Sequence, residues 1–170
     1  MILHGMLPYV EGSRFTVRSH NPPPPGSIKK LHHLTKEAKI ERSKILPLKR
    51  CILHLPSGGS DGNYMVTFEV VNNIRAGPDH DAQVVAVRVL DSGPAFPEHL
   101  KGVGLVVAKL YYPLFSDHAG DDDTDPFLWL ARQYEREAAS YHRLSDLQGS
   151  VIPVFYGSYS LELPVEGSPS

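Results

Sequence analysis

The pattern of apolar residues changes near residue 50, and short runs of β-branched and aromatic residues follow it. Such runs predict strands. They cover residues 51–56 (CILHLP), 64–71, 82–90, 104–112 and 151–163, and Pro153 indicates an edge or a bulge near the start of the last run. We therefore expect a twisted antiparallel sheet in an α+β fold.

One strong helix is predicted between the last two runs, and it is expected to pack on the sheet. Asp125 is a good N-cap, and Pro126 stands at the first helical position, where a missing N–H has no cost. Gly149 is a natural residue to follow the C-terminus. This main helix and the sheet would form a domain over residues 50–170.

The first 49 residues are expected to form an irregular extension outside the sheet. The sequence NPPPPG at 21–26 fixes an extended segment, which we interpret as a stiff linker, with an SH3-type ligand as the alternative. A short peripheral helix is predicted at about 35–45, capped by Thr35 and stopped by Pro47.

Composition indicates a globular protein, with 41% hydrophobic and 21% charged residues. Cys51 is the only cysteine, which excludes an intrachain disulfide and a cysteine-based zinc site. The N-terminal sequence lacks the basic segment and the long apolar run of a signal peptide, and no run has the ~20 apolar residues of a membrane helix. We expect a cytoplasmic protein that does not contact membranes.

Charge is distributed unevenly along the chain. Residues 27–50 contain eight Lys or Arg and two Glu, a balance of +6, whereas the whole chain has a net charge of −2. Such a segment can bind phosphates or anionic lipid. Because no aromatic residues alternate with the basic ones, nucleic acid is not an expected partner, and a solvated basic arm is the favoured interpretation.

Two residues interrupt apolar patterns in a complementary way. Lys109 stands within the apolar run at 104–112, and Glu137 occupies the core-facing row of the predicted helix, between Tyr134 and Tyr141. A buried charge needs a partner. The helix follows the strand and can fold back over the sheet, so we expect Lys109 and Glu137 to form an ion pair that presents an ammonium to an anion.

The sequence VVAKLYYP at 106–113 resembles the third strand of the protein kinase fold, whose signature is Val-Ala-Ile-Lys. The sequence EAASYHRL at 137–144 is similar to the kinase helix C, which reads Glu-x-x-x-apolar-x-x-Leu. The region from Asp125 onward resembles in particular protein-kinase-like proteins of filamentous fungi. The resemblance implies a kinase N-lobe that binds ATP, with Lys109 as the phosphate contact and Glu137 as its catalytic partner.

The phosphate-covering loop of that family corresponds to GPDHDAQV at 77–84. The resemblance implies that Gly77, Ala82, Val84, Ala108 and Lys109 line the nucleotide site. Asp79 and Ala82 stand where the family has its second and third glycines. A side chain there hinders the approach of backbone N–H groups to phosphate, so the affinity for nucleotide is expected to be reduced.

The sequence contains neither a His-Arg-Asp-type catalytic loop nor an Asp-Phe-Gly metal motif. The chain ends before the fifth strand and the second lobe of the family, so we expect no kinase activity from it alone and no magnesium site. The alternative is a pseudokinase-like interaction module without nucleotide. A missing fifth strand would leave the Lys109 strand with an open edge, which predicts aggregation or a protein partner that covers the edge.

Two weaker patterns point to other chemistry. GGSDG at 58–62 matches the nucleophile elbow of α/β-hydrolases, but a strand-like run follows it where that motif needs a helix, so a hairpin loop is favoured. The acidic stretch SDHAGDDDTD at 116–125 lacks calcium-loop spacing and is interpreted as a solvated loop.

Overall fold

The computed structural model describes residues 9–26, 34–54, 58–77, 80, 82–90, 96–116, 118 and 124–162. The strands of this part are β1 (Arg14–Asn21), β2 (Ser60–Arg75), β3 (Gln83–Leu90), β4 (Leu105–Leu110) and β5 (Tyr159–Ser160). Its α-helices are α1 (Lys36–Lys44), α2 (Pro47–Leu53) and α3 (Pro126–Arg143). Short 3₁₀ turns lie at Glu98–Leu100, Pro113–Phe115 and Ser145–Leu147. The α+β class is confirmed.

The strands form one antiparallel sheet in the order β4-β3-β2-β1-β5. The predicted runs at 64–71, 82–90 and 104–112 correspond to β2, β3 and β4, and are confirmed. The expected irregular N-terminal extension is wrong for residues 14–21, because β1 pairs along its length with β2 inside the sheet. The strand ends at Asn21, just before the proline run, since proline lacks the N–H that a sheet ladder needs.

The hydrophobic core lies on one face of this sheet. Strand β3 alternates strictly, with Val85, Val87 and Val89 buried and the residues between them more exposed. This alternation places one side of each strand against the core and the other side toward helix α3 or solvent. The remaining buried members of the core cluster are Tyr9, Val17, Val66, Phe68, Val70, Phe96 and Leu100.

Helix α1 confirms the predicted peripheral helix. The Thr35 side chain accepts a hydrogen bond from the Ala38 N–H, which caps the first turn. The predicted strand at 51–56 is wrong for residues 51–53, because Pro47 begins helix α2 instead of only stopping α1, and residues 55 and 56 lie outside the described residues. A short apolar run does not distinguish a strand from a short helix, and proline fits the first helical turn.

Helix α3 begins where the sequence predicts. The Asp125 carboxylate accepts hydrogen bonds from the Phe127 and Leu128 N–H groups at 3.0 and 3.5 Å, and Pro126 opens the first turn. The predicted end at Gly149 is wrong, since α3 stops at Arg143 and the 3₁₀ turn Ser145–Leu147 follows. Gly149 instead allows the next turn, with a φ of 76°.

The last predicted strand, 151–163, is mostly wrong. Among the described residues 151–162, only Tyr159–Ser160 forms a strand, which pairs with β1 at the far edge of the sheet from β4, and Ile152 makes an isolated bridge with Gln148. The hydrolase-type pattern at 58–62 leads into strand β2 and not into a helix, which removes the structural context that a nucleophile elbow requires. Within the described ranges, no helix combines the length and apolar character needed to cross a bilayer.

Candidate functional site

Lys109 and Glu137 form an ion pair between strand β4 and helix α3. The Lys109 Nζ atom lies 2.9 Å from Oε2 of Glu137, and the two side chains are 38% and 31% exposed. The expected pairing is confirmed. The ion pair holds the ammonium in one position. Because both side chains are only partly covered, the ammonium is still accessible to an anion from solvent.

The apolar row of α3 holds Glu137 in place. Leu130 and Ala138 on this helix are buried, with 2% of each residue exposed. Side chains three and four positions apart share one helix face, so Tyr134 and Glu137 are turned toward the same side as Leu130. The carboxylate therefore faces β4 as a consequence of how α3 is packed.

Tyr111 completes this pair and was missed in the sequence. Its hydroxyl donates a hydrogen bond to the same Oε2 atom of Glu137 that Lys109 contacts. The centre of its ring lies 5.0 Å from the Lys109 Nζ atom, within the range of a cation–π contact. The sequence could have indicated this contact, because Tyr111 is two residues from Lys109 and residues two apart in an extended chain lie on the same side.

Tyr134 connects the pair to strand β1. Its ring meets that of Tyr111 edge to face at 6.2 Å, and its hydroxyl lies 2.6 Å from Nδ1 of His20 at the end of β1. Burial raises the pKa of Tyr134, so its hydroxyl stays protonated at neutral pH. These contacts attach α3 to the sheet at the point where Glu137 projects.

The β2–β3 hairpin ends beside Lys109. Val84 is the direct neighbour of Lys109 in the β3–β4 register, so the predicted nucleotide-covering turn lies at the same end of the sheet as the ammonium. Gly77 has a φ of 135°, a backbone conformation that favours glycine. Asp79 lies outside the described residues.

The side chain of Gln83 forms hydrogen bonds with the backbone of this turn. Gln83, which is 1% exposed, accepts a hydrogen bond from the Gly77 N–H at 2.6 Å and donates one to the Gly77 carbonyl at 2.9 Å. The Gly77 N–H is therefore not directed at a ligand. Ala82 is buried, and Ala108 packs against the hydrophobic core on the opposite face of β4 from Lys109. The structure thus brings Val84 to Lys109 but does not bring Ala108 to the same face.

A surface cleft of about 400 Å³ opens at the ion pair. Lys109 and Arg136 supply cations to its wall, and Glu137 supplies the anion. The other residues of the wall are Tyr111, Gln133, Ser140, Tyr141, Leu144, Ile152 and Pro153. Two cations, hydroxyl and amide donors, and apolar residues form a lining that suits an anionic ligand with an apolar part.

A second polar cluster lies where α1 and α2 meet the start of α3. Arg50 is 1% exposed, and its Nε donates to Glu41 at 2.9 Å while its Nη1 lies 3.0 Å from Nδ1 of His118. The guanidinium also lies over the Phe127 ring at 5.0 Å. The hydrogen bonds from Arg50 and His54 hold the pKa of Glu41 below its ordinary value. This cluster attaches α1 and α2 to the rest of the molecule, so we assign it a structural role.

No group of three or more metal-ligating side chains occurs in the part of the chain that the structure describes. Most of the acidic stretch at 116–125 lies outside that part. The nucleotide that the kinase resemblance implies fits the chain in one respect, because Lys109 presents a partly exposed ammonium. It does not fit in another, because the Gly77 N–H is already bonded to Gln83.

Comparisons of the chain with models of protein families, with curated proteins and with solved structures found no match.

Proposed function

We propose that this chain is a kinase-N-lobe-like module that binds the phosphates of a nucleotide through Lys109, with Glu137 as the positioning carboxylate. The single observation that carries the proposal is the 2.9 Å ion pair beside the β2–β3 hairpin. An ammonium has three N–H donors, and the contact with Glu137 uses one of them. The others are available for charge-assisted hydrogen bonds to phosphate oxygens.

The proposal concerns binding and not phosphoryl transfer. Transfer requires a base for the acceptor hydroxyl and ligands for magnesium in addition to the lysine. The described residues supply the cation, its positioning carboxylate and the aromatic side chain of Tyr111. We expect weak binding, because the Gly77 N–H is bonded to the Gln83 side chain and is not directed at a phosphate.

Isothermal titration calorimetry of the full chain with metal-free ATP tests this function. We expect saturable binding by the wild type and a loss of roughly tenfold or more in affinity for Lys109→Met, since the charge-assisted hydrogen bonds of the ammonium are removed. Lys101→Met is the matched control, because Lys101 forms an exposed ion pair with Glu98 away from the cleft. Equal affinities of the wild type and Lys109→Met would overturn the assignment of Lys109.

The fold of the Lys109→Met variant is first checked by circular dichroism, because Glu137 loses its ion-pair partner. Glu137→Gln provides a second variant, since it removes the carboxylate charge but keeps an oxygen that accepts from Tyr111. If both variants fold and bind ATP like the wild type, the ion pair is structural.

An interaction module is the second candidate function, and the open edge of β4 favours it. Of the strands that the structure describes, only β3 pairs with β4. The hydrogen bond from Val89 N–H to the Gly104 carbonyl sets the ladder, so the backbone groups of Leu105, Val107 and Lys109 point away from β3. Such an edge can accept a strand from a protein partner.

A further inference from the structure

Helix α2 buries its arginine and exposes its aliphatic side chains. Arg50 is 1% exposed, whereas Leu48 and Ile52 are each 47% exposed and Leu53 is 56% exposed. Leu46, the residue before the helix, is 75% exposed. Arginine is among the residues least often buried, and leucine and isoleucine are among those most often buried. The usual orientation of an amphipathic surface helix is therefore reversed.

The contacts of Arg50 fix this reversed orientation. Its guanidinium is held by Glu41 and His118 and lies over Phe127, so this side of α2 cannot turn outward without breaking the polar cluster. Residues two positions before and after Arg50 lie on the opposite side of a helix with 3.6 residues per turn. Leu48 and Ile52 must consequently face solvent as long as Arg50 is bound.

Exposed lysines lie close to the exposed aliphatic residues in the sequence. Lys44 and Lys49 are exposed beside them, and Ile40 on α1 adds a further aliphatic side chain that is 53% exposed. Over residues 36–53 the chain has six Lys or Arg and two Glu, a balance of +4. Of the two glutamates, Glu41 is bound by Arg50 and His54. We call these exposed residues of α1, α2 and the segment between them the hairpin patch; they are Ile40, Lys44, Leu46, Leu48, Lys49, Ile52 and Leu53.

We propose that the hairpin patch docks on a membrane surface that contains anionic phospholipid. Aliphatic side chains beside lysines are typical of elements that lie in the interface, where the aliphatic groups enter the acyl boundary and the lysines reach the phosphates. Charge alone favoured a solvated basic arm without membrane contact. The reversed orientation of α2 changes that expectation, because a basic arm that only contacts water is not expected to expose leucine and isoleucine side chains.

Composition favours lipid over a protein partner. The centres of protein interfaces are enriched in aromatic residues, methionine and arginine and are depleted of lysine. The hairpin patch consists of leucine, isoleucine and lysine, and the arginine of α2 faces inward. Electrostatic attraction to the anionic surface is expected to bring the hairpin patch to the bilayer, and burial of the aliphatic side chains is expected to hold it there.

Vesicle co-sedimentation of the full chain tests this inference. The probes are vesicles of phosphatidylcholine alone and vesicles with about 30% phosphatidylserine at low ionic strength. We expect binding only to the second kind. Leu48→Ser with Ile52→Ser should weaken binding by about a hundredfold, since roughly tenfold is lost for each of the two aliphatic side chains that no longer enters the bilayer. Lys44→Glu with Lys49→Glu should weaken it by a similar factor.

Matched controls distinguish binding by the hairpin patch from non-specific hydrophobic adsorption and from a general effect of charge. Val151→Ser removes an aliphatic residue that is 75% exposed outside the patch, and Lys101→Glu reverses a charge outside it. Both should bind vesicles like the wild type. Absence of binding to the phosphatidylserine vesicles, or equal binding by Leu48→Ser with Ile52→Ser, overturns the proposal. So does self-association that these substitutions abolish without any vesicle binding, because the occupant would then be a second copy.

Discussion

The Nζ atom of Lys109 lies 2.9 Å from Oε2 of Glu137, and the Tyr111 hydroxyl donates to that same oxygen. One carboxylate oxygen thus joins strand β4, the residue that follows it and helix α3. Each partner restricts the others, because a carboxylate that accepts two hydrogen bonds has little freedom to rotate. This arrangement positions an ammonium before any ligand arrives, which lowers the entropic cost of binding an anion.

Tyr111→Phe tests whether this tyrosine positions the pair. The substitution keeps the ring over Lys109 and removes the hydrogen bond to Glu137. We expect a loss of about 1 kcal/mol in the free energy of unfolding, measured by urea titration, and a smaller loss of ATP affinity than in Lys109→Met. Tyr64→Phe, at an exposed position on β2, is the matched control. Unchanged stability and affinity in Tyr111→Phe would assign the hydroxyl no role.

Arg50→Met tests the cluster that attaches α1 and α2. The substitution removes a buried guanidinium that contacts Glu41, His118 and Phe127. We expect a loss of about 2 kcal/mol in the free energy of unfolding, because the glutamate and the histidine lose a charged partner. Lys49→Met, at the neighbouring exposed position, should change it by less than about 0.5 kcal/mol. Similar urea midpoints for the two variants would contradict this role of Arg50.

Glu41 makes stability depend on pH in the acidic range. Hydrogen bonds from Arg50 and then His54 lower the pKa of this carboxyl in the folded state from an ordinary value of 4.5. A group whose folded pKa is lowered stabilises the protein above its unfolded pKa, and that contribution is lost as the pH falls through the folded pKa. We therefore expect Glu41→Gln to be less stable than the wild type at about pH 6, and the difference to shrink as the pH falls below 4.5.

Urea titration at about pH 6 and below pH 4.5 measures this difference. The comparison with Glu41→Gln is needed because the pKa of Glu69 is also lowered, by Arg14 and Arg88, and acts in the same direction. A difference between the wild type and Glu41→Gln that does not change with pH would contradict the assignment.

The ion pair could be predicted because both residues break an apolar pattern. Lys109 stands in a strand of β-formers, and Glu137 stands in the core-facing row of α3. The start of α3 could be predicted because Asp125 and Pro126 act locally, through the first turn alone. Tyr111 could have been found from its spacing to Lys109, but its role depends on Glu137, which is 26 residues away.

Elements whose identity depends on distant partners were missed. Strand β1 alternates between Phe15 and Val17 on the core side and polar or charged residues on the other, yet only its pairing with β2 shows that it belongs to the sheet. The reversed orientation of α2 depends on Glu41 and His118, which no local pattern connects to Arg50. Short apolar runs are ambiguous between helix and strand, and tertiary contacts decide between them.

The open edge of β4 predicts self-association. Leu105 and Val107 are 60% and 64% exposed on the strand whose outer backbone groups point away from β3. Edge strands with these features pair with other chains unless a charge prevents it. We expect the wild type to self-associate at micromolar concentration in light scattering, and Val107→Lys to be mainly monomeric. Val151→Lys, outside the strands, is the control. A monomeric wild type that melts cooperatively would contradict this prediction.

The most direct measurement is chemical labelling of the full chain with an acyl phosphate of ATP, followed by peptide mapping. The Lys109 amine would attack the acyl carbon, an amide bond would form, the bond from the acyl carbon to the phosphate oxygen would break, and ATP would leave as the amine loses its proton. We expect Lys109 to be acylated and excess ATP to protect it, while Lys101 and Lys49 show no protection. Labelling of Lys109 that ATP does not reduce, or equal labelling of all three lysines, would contradict nucleotide binding at the Lys109–Glu137 pair.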